Sequence, residues 1–141
     1  MDSKEKTIIS VQAKIDAPIE KVWKNWTNPE TITRWNNASD EWFTPRAEND
    51  LRVGGKFLSR MESKDGRSGF DFEGIYDAVI VNKFIEYHMT DGRKVKITFL
   101  NKGKETRMFE NFEAETTNSL ELQRGGWQAI LNNFKKYTET S

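Results

Sequence analysis

The run from Asn118 to Glu139 most constrains the fold, because it is the only long helix that the sequence predicts. Asn118 and Glu121 have the spacing of a capping pair at the start of this helix. Apolar residues recur at the spacing of one helical face: Trp127, Ile130, Leu131, Phe134 and Tyr137. A helix with one apolar face needs a surface to cover, so the rest of the chain must supply that surface.

Two adjacent glycines, Gly125 and Gly126, interrupt this helix just before Trp127. Each glycine inside a helix costs about 1 kcal/mol relative to alanine, so local helix stability does not explain the pair. The pair therefore predicts that another element packs very close to the helix backbone there, or that the helix bends. The apolar stripe is typical of a helix packed on a core, and contact with a ligand is the alternative interpretation.

Composition limits the class of protein. The chain has 141 residues, which suits one domain with a core from about residue 7 to residue 138. Basic and acidic residues number 22 each and no concentrated basic run occurs, which argues against nucleic-acid binding. The absence of Cys excludes disulfides and thiolate chemistry. No signal peptide or membrane span is predicted, so we expect a cytoplasmic protein.

The N-terminal part of the chain predicts one strand and two short helices. Residues 7–15 alternate between apolar and polar side chains, as in a half-buried strand. A short helix follows Pro18, and a second one carries Ile32 and Trp35. A DNA-reading helix-turn-helix is a poor alternative, because the second helix offers only Arg34 as a basic group.

The middle of the chain predicts a polar loop followed by a meander of antiparallel strands. Residues 36–50 show no periodicity and form the loop. About five strand-like runs follow. Turn dipeptides separate them, and these are Asp65-Gly66, Asp91-Gly92 and Lys102-Gly103. Alternation places most apolar residues of these strands on one face. The element order β-α-α-β-β-β-β-β-α predicts an α+β fold in which a curved sheet holds the last helix against its inner face.

Five segments carry a resemblance to a known family: DAPIEKVWKNWTNPETITRW, DLRVGGKF, FDFEGIY, DGRKVKITF and, above all, ELQRGGWQAILNNFKKY. Together with the order of elements, they resemble the START-like SRPBCC superfamily over nearly the whole chain. Within it, they are similar to small bacterial proteins related to the C-terminal domain of the heat shock protein 90 ATPase activator. The resemblance implies a helix-grip fold with a cavity between a strongly bent sheet and the C-terminal helix.

Members of this superfamily bind sterols, lipids, hormones or polyketides, and a few are cyclases or hydrolases, so three hypotheses about function follow. The leading one is a non-catalytic module that binds a lipid-like or other apolar small molecule between the sheet and the C-terminal helix. The alternatives are a stress-related domain that interacts with a chaperone or another protein, and a cyclase-type enzyme. The side chains expected to line the cavity are Trp35, Phe57, Met61, Phe72, Tyr76, Phe99, Glu110, Phe112, Trp127, Leu131 and Phe134.

Few side chains offer catalytic or metal chemistry. His88, the only histidine, falls on the outer face of its strand, and no metal site or cofactor motif is predicted. Glu110 falls on the inner face of the last strand, where a carboxylate is costly unless it is paired. We therefore expect Glu110 to be a polar group of the cavity, and in the cyclase hypothesis it acts with a tyrosine. A local bulge that turns Glu110 outward is the competing interpretation.

Overall fold

The computed structural model describes residues 6–141. The elements follow the chain in this order: β1 (Ile8–Ile15), α1 (Ile19–Thr27), α2 (Pro29–Trp35), β2 (Trp42–Asn49), β3 (Lys56–Ser63), β4 (Gly69–Ile80), β5 (Phe84–Met89), β6 (Lys94–Asn101), β7 (Thr106–Glu113) and α3 (Leu120–Thr140). The α+β helix-grip fold is confirmed, because an antiparallel sheet is combined with two short helices and one long C-terminal helix.

The strands form one antiparallel sheet in the order β1-β7-β6-β5-β4-β3-β2. Strands β2 to β7 are successive neighbours, and β1 pairs with β7 at the opposite edge. Gly66, Gly92 and Gly103 have positive φ angles of 76°, 90° and 83°, which glycine adopts without steric cost. The three hairpin turns predicted from the sequence are therefore confirmed.

Strand β2 lies within residues 36–50, which the sequence predicted as a loop. It is an edge strand that pairs only with β3, and the pairing register shifts between Phe43 and Arg46. Pro45 lies in this irregular stretch, where the missing backbone N–H is tolerated. The register shift and the exposed edge remove the regular alternation of apolar residues. The meander consequently has one strand more than expected.

Alternation correctly predicts the inner faces of β3, β5, β6 and β7, where every second residue is buried. In β4 a shift of register between Tyr76 and Ala78 reverses the alternation. Val79 consequently packs on the core and Ile80 is exposed, whereas simple alternation placed Ala78 and Ile80 inside. The shift changes the face of the strand only beyond Tyr76, so the cavity residues earlier in β4 keep their predicted side.

Helix α3 covers the sheet unevenly. It packs chiefly on β1 and also contacts α1 and α2. Leu131, Phe134 and Thr138, all in its C-terminal half, are fully buried. The C-terminal half of α3 is therefore anchored at the β1 side of the domain by both short helices.

The N-terminal half of α3 differs from the sequence prediction in two ways. The helix is capped by Ser119 and not by Asn118, because the Ser119 hydroxyl accepts a hydrogen bond of 3.1 Å from the Leu122 N–H. The predicted close approach of another element to the two glycines is wrong. A Cβ atom built at Gly125 or at Gly126 meets no atom within 4 Å. Open space, and not a tightly packed neighbour, lies beside this part of the helix.

Candidate functional site

A cavity of about 500 Å³ lies under the N-terminal half of α3. Side chains of β3, β4 and β5 form much of its wall, and further lining residues come from both short helices, from β2 and β7, and from the turn between β5 and β6. Gly126 borders the cavity from the helix side. The wall also includes Phe70, which is 50% exposed, and Leu122, which is 63% exposed. The cavity therefore opens to solvent.

Aromatic rings make up a large part of the wall. The Phe57 ring lies 4.6 Å from Tyr87, 5.4 Å from Tyr76 and 5.7 Å from Phe72, measured between ring centroids. The indole of Trp127 meets the Phe72 ring edge to face at 6.1 Å. These rings come from three strands and from α3, so they surround the gap between sheet and helix without filling it.

Trp127 is held in place by Phe112 of β7. The two rings stack with centroids 4.0 Å apart and an angle of 13° between their planes. Phe112 is 1% exposed and does not line the cavity, whereas Trp127 is half-buried and does. The stack fixes the plane of the indole, which lies between the core and the cavity.

A second group of rings closes the cavity toward the C-terminal half of α3. Trp26 stacks on Trp35 at 4.7 Å, and both rings meet Phe134 edge to face at 4.9 Å and 4.8 Å. The Trp35 indole N–H donates a hydrogen bond of 2.9 Å to the Asn25 backbone carbonyl, which satisfies its polar atom. Trp26 and Trp35 line the cavity, whereas Phe134 belongs to the core.

The structure divides the residues expected to line the cavity into two sets. Those on the wall are Trp35, Phe57, Met61, Phe72, Tyr76, Glu110 and Trp127. Those in the core, away from the wall, are Phe99, Phe112, Leu131 and Phe134. Alternation and helical periodicity assign a residue to the inner face, but the depth at which it lies depends on where α3 crosses the sheet. Leu131 and Phe134 lie in the C-terminal half of α3, Phe112 lies behind the Trp127 ring, and Phe99 packs against Trp23 and Trp26 of α1.

Several wall residues were not among the expected ones. Gln123, Gly126 and Ile130 line the cavity from α3, and Glu115 and Asn118 line it from the segment before this helix. The spacing of Gln123, Trp127 and Ile130 places them on one helical face, which is a signal that the sequence did contain. The segment before α3 carries no periodicity, so its position could not be read from the sequence.

The segment between β7 and α3 is tied to the helix by the buried Gln123 side chain. The Gln123 amide accepts a hydrogen bond of 2.9 Å from the Glu115 N–H, and it donates to the carbonyls of Glu115 and Asn118 at 3.0 Å and 2.9 Å. The Glu115 carboxylate accepts from the N–H groups of Thr117 and Asn118, which lowers its pKa. This network gives the rim of the cavity a defined shape.

Glu110 of β7 lies on the cavity wall with 3% of its surface exposed. The predicted inward orientation is therefore confirmed, and the competing bulge does not occur, since β7 pairs in unbroken register with β1 and β6. Within residues 6–141, no hydrogen bond or ion pair reaches its carboxyl group. Burial raises the pKa of Glu110 to about 8, so the protonated form prevails at neutral pH.

Two tyrosines also place their hydroxyl groups on the cavity side of the sheet. The Tyr76 hydroxyl donates a hydrogen bond of 2.6 Å to the Asn49 side-chain oxygen. The Tyr87 hydroxyl has no hydrogen-bond partner in the described part of the chain. Burial, reinforced by the neighbouring Glu110 carboxyl, raises the pKa of Tyr87 well above its usual range. Tyr87 and Glu110 are therefore two buried polar groups on the cavity wall that interact electrostatically.

Outside the cavity, the structure offers few groups for catalysis or metal binding. His88 lies on the outer face of β5, with its Nδ1 atom 3.0 Å from both carboxylate oxygens of Asp77, as alternation predicted. Among residues 6–141, no three His, Cys, Asp or Glu side chains converge as metal ligands. None of the helices described is long and apolar enough to cross a membrane.

The antiparallel sheet, the C-terminal helix laid on it and the cavity between them define a START-like protein of the SRPBCC class. A family model described as "Activator of Hsp90 ATPase homolog 1-like protein" matches residues 16–139. The chain therefore belongs to this family, as its sequence motifs indicated. A comparison with curated proteins gives no match.

Solved structures support the same assignment. The chain is 42% identical to an AHSA1-like protein from Aeromonas hydrophila, over 95% of this chain and 93% of that one, with a TM-score of 0.89. It is 52% identical to a protein from Cytophaga hutchinsonii, over 94% and 92% of the two chains, with a TM-score of 0.81. A Nitrosomonas europaea protein with 18% identity over 94% of each chain and a TM-score of 0.80 shares the fold.

Proposed function

We propose that this protein binds a small, largely apolar molecule in the cavity under the N-terminal half of α3. The observation that carries the proposal is a volume of about 500 Å³ that the surrounding aromatic rings leave open. An apolar void of this size would cost on the order of 10 kcal/mol if it stayed dry, which is comparable with the stability of a whole domain. Water or a ligand must therefore occupy it, and a mostly apolar wall favours a ligand.

The double glycine in α3 supports this use of the cavity. Gly126 borders the cavity, and neither glycine has a neighbour that a side chain would strike. The helix thus gives up about 1 kcal/mol at each position without any packing reason. A bare backbone at Gly126 keeps the space beside Trp127 free, and a bound molecule can approach the helix closely there. Gly125 is exposed and does not border the cavity, so it serves as the matched control.

A fluorescence titration tests the proposal. Naphthylmethanol, a neutral aromatic probe, should change the tryptophan emission saturably, and Trp127→Phe should remove most of that change. Gly126→Leu, which fills the cavity, should weaken the affinity by roughly tenfold or more, since the probe must displace a side chain of similar size. Gly125→Leu should leave the affinity unchanged. Equal affinities for the two leucine variants would rule out this location of the site.

A second candidate function is contact with another protein. The family description names an ATPase activator of a chaperone, and two exposed apolar side chains, Phe70 and Leu122, lie at the rim of the cavity. An apolar side chain of a partner could insert there. Native mass spectrometry of the freshly purified protein distinguishes the two candidates: a retained small molecule supports the binding module, and a retained protein supports the interaction domain. Phe70→Ser with Leu122→Ser should abolish only the second.

A further inference from the structure

The polar groups of the cavity wall are unevenly distributed. One carboxyl group on the wall, that of Glu110, is buried and has no partner in the described part of the chain. The hydroxyl group of Tyr87 is also buried and without a partner among residues 6–141. A buried polar group without a partner costs free energy, and a ligand that supplies the partner recovers that cost.

The charged groups on the wall are almost all acidic. Six carboxyl groups border the cavity: Glu48, Asp71, Glu73, Asp91, Glu110 and Glu115. Within residues 6–141, Arg93 is the one cationic side chain on the wall, and Asp91 holds its guanidinium at 2.7 Å. Asp71 and Glu73 pair with Arg60 and Lys56, whose side chains do not border the cavity. Glu48 pairs with Arg46, so four of the six carboxyl groups already have a cationic partner. Glu110 and Glu115 are the two that have no ion pair among residues 6–141, and the one cation on the wall is itself paired.

The aromatic rings that line the cavity also favour a cation over an anion. The faces of aromatic rings carry negative electrostatic potential, so indole and phenol rings attract cations, most strongly where water is excluded. Trp127, Phe57, Tyr76 and Tyr87 line the same cavity as Glu110, and the Phe57 ring contacts both tyrosine rings. A fatty acid or another anion would meet the carboxyl groups and the ring faces with unfavourable electrostatics. A lipophilic cation would meet both favourably.

We propose that the ligand of this cavity is a lipophilic amine, whose apolar body lies among the aromatic rings and whose ammonium group pairs with the Glu110 carboxylate. The inference rests on the proposed function of the cavity and specifies the chemical class of its ligand. Pairing removes the cost of the buried carboxyl group, because the ammonium replaces the water that an exposed carboxylate would bind. Tyr87, which also lines the cavity, contributes its ring to the contact with the ligand.

Proton exchange is a signature of this mode of binding. The free carboxyl group of Glu110 holds a proton at neutral pH, because its pKa is about 8. An ammonium binds the ionised form, so near neutral pH the carboxyl O–H breaks and close to one proton passes to the buffer for each amine bound. Among the other groups that face the cavity, the pKa of Asp91 and that of Glu115 are lowered and those of both tyrosines are raised. These four groups keep one protonation state between about pH 6 and pH 8.

Titration calorimetry with three probes of equal shape tests the inference: naphthylmethylamine, naphthylmethanol and naphthylacetate. At about pH 7 the amine should bind roughly tenfold or more tightly than the alcohol, and the anion should bind least. The amine affinity should rise by close to tenfold from about pH 6 to pH 7 and by about fivefold from pH 7 to pH 8, where the free carboxyl group is half ionised, and the alcohol affinity should not change. Measurements in two buffers with different ionisation enthalpies should report the released proton directly.

Variants separate the role of Glu110 from net charge. Glu110→Gln keeps the shape of the side chain and should weaken amine binding by roughly tenfold or more while the alcohol keeps its affinity. Glu86→Gln removes a carboxylate of β5 that does not border the cavity, and it should change neither affinity. If Glu110→Gln does not fold, the pH dependence of the unaltered protein still decides the matter.

Two outcomes overturn different conclusions. If the alcohol or the anion binds the unaltered protein as tightly as the amine, or if amine affinity is independent of pH, the ligand is not a cation and the cavity remains an apolar site. If none of the three probes binds, the proposed function itself fails, and the inference fails with it.

Discussion

The two halves of α3 cover the same sheet, but one half is packed in the core and the other borders an open cavity. In the C-terminal half, Leu131 and Phe134 are fully buried, and two tryptophan rings of the short helices lie within 5 Å of Phe134. In the N-terminal half, Gly125 and Gly126 face open space and Leu122 is 63% exposed. One helix therefore serves as the anchor of the fold at one end and as the wall of a cavity at the other. Core packing holds the C-terminal half, and the N-terminal half borders the cavity.

The largest expected effect is on the free energy of unfolding. It compares a phenylalanine packed in the core at the C-terminal half of α3 with one that borders the cavity under the N-terminal half. Phe134→Ala should lower the free energy of unfolding by about 3 to 5 kcal/mol, because the ring is enclosed on all sides and leaves a cavity. Phe72→Ala should cost clearly less, since its ring borders a space that is already open. Urea unfolding of both variants measures the difference. Equal losses would mean that the N-terminal half is as tightly packed as the C-terminal half.

The second effect is the pH dependence of stability that arises from Glu110, the buried carboxyl group on the cavity wall. Its pKa is about 8 in the folded protein, above the ordinary 4.5, so the folded state binds more protons than the unfolded state between these values. Stability should therefore be highest below about pH 4.5 as far as Glu110 is concerned, and should fall as the pH rises through about 8, with a slope approaching about 1.4 kcal/mol per pH unit.

Glu110→Gln should remove this part of the pH dependence and make the protein more stable at pH 8 than the unaltered chain. The gain should be on the order of 4 kcal/mol, because a neutral amide is not ionised at any pH in this range. Urea unfolding at several pH values measures it, with Glu86→Gln as the control for an outer-face carboxylate. A parallel pH profile for Glu110→Gln and the unaltered protein would contradict the prediction.

The smallest expected effect is a gain in stability on replacing a glycine of α3. At a tightly packed site the same replacement would destabilise the protein. Gly126→Ala should stabilise the protein by about 1 kcal/mol, since alanine is the better helix former and its methyl group meets no atom within 4 Å. Gly125→Ala should stabilise it by a similar amount. The two should differ in binding, because only the methyl group at 126 enters the cavity. Thermal unfolding and probe titration measure both, and a destabilised Gly126→Ala would restore the close-packing interpretation.

Much of the fold is readable from the sequence because its signals are local. The turns at Gly66, Gly92 and Gly103 follow from dipeptides that favour a positive φ angle, and the faces of four inner strands follow from alternation. The inward position of Glu110 follows from the same rule, and its β7 strand has no shift of register. Alternation fails where the register shifts, in β2 and near the end of β4.

The position of the cavity is not a local property. Trp127 and Leu131 belong to one apolar stripe on α3, yet Trp127 lines the cavity and Leu131 lies in the core. Nothing in their spacing separates them, since both face the sheet. The angle at which α3 crosses the sheet separates them, and that angle is set by β1, α1 and α2 together.

The sequence by itself determined the α+β helix-grip fold, the family and the inner face of the sheet, because periodicity and turn chemistry act over a few residues. Only the tertiary structure decided that the double glycine faces open space, that Ser119 caps α3 and that three of the five expected wall residues of α3 and β7 are core. The physical reason is that a cavity is the volume that distant elements fail to fill. Its boundaries depend on all of their positions at once.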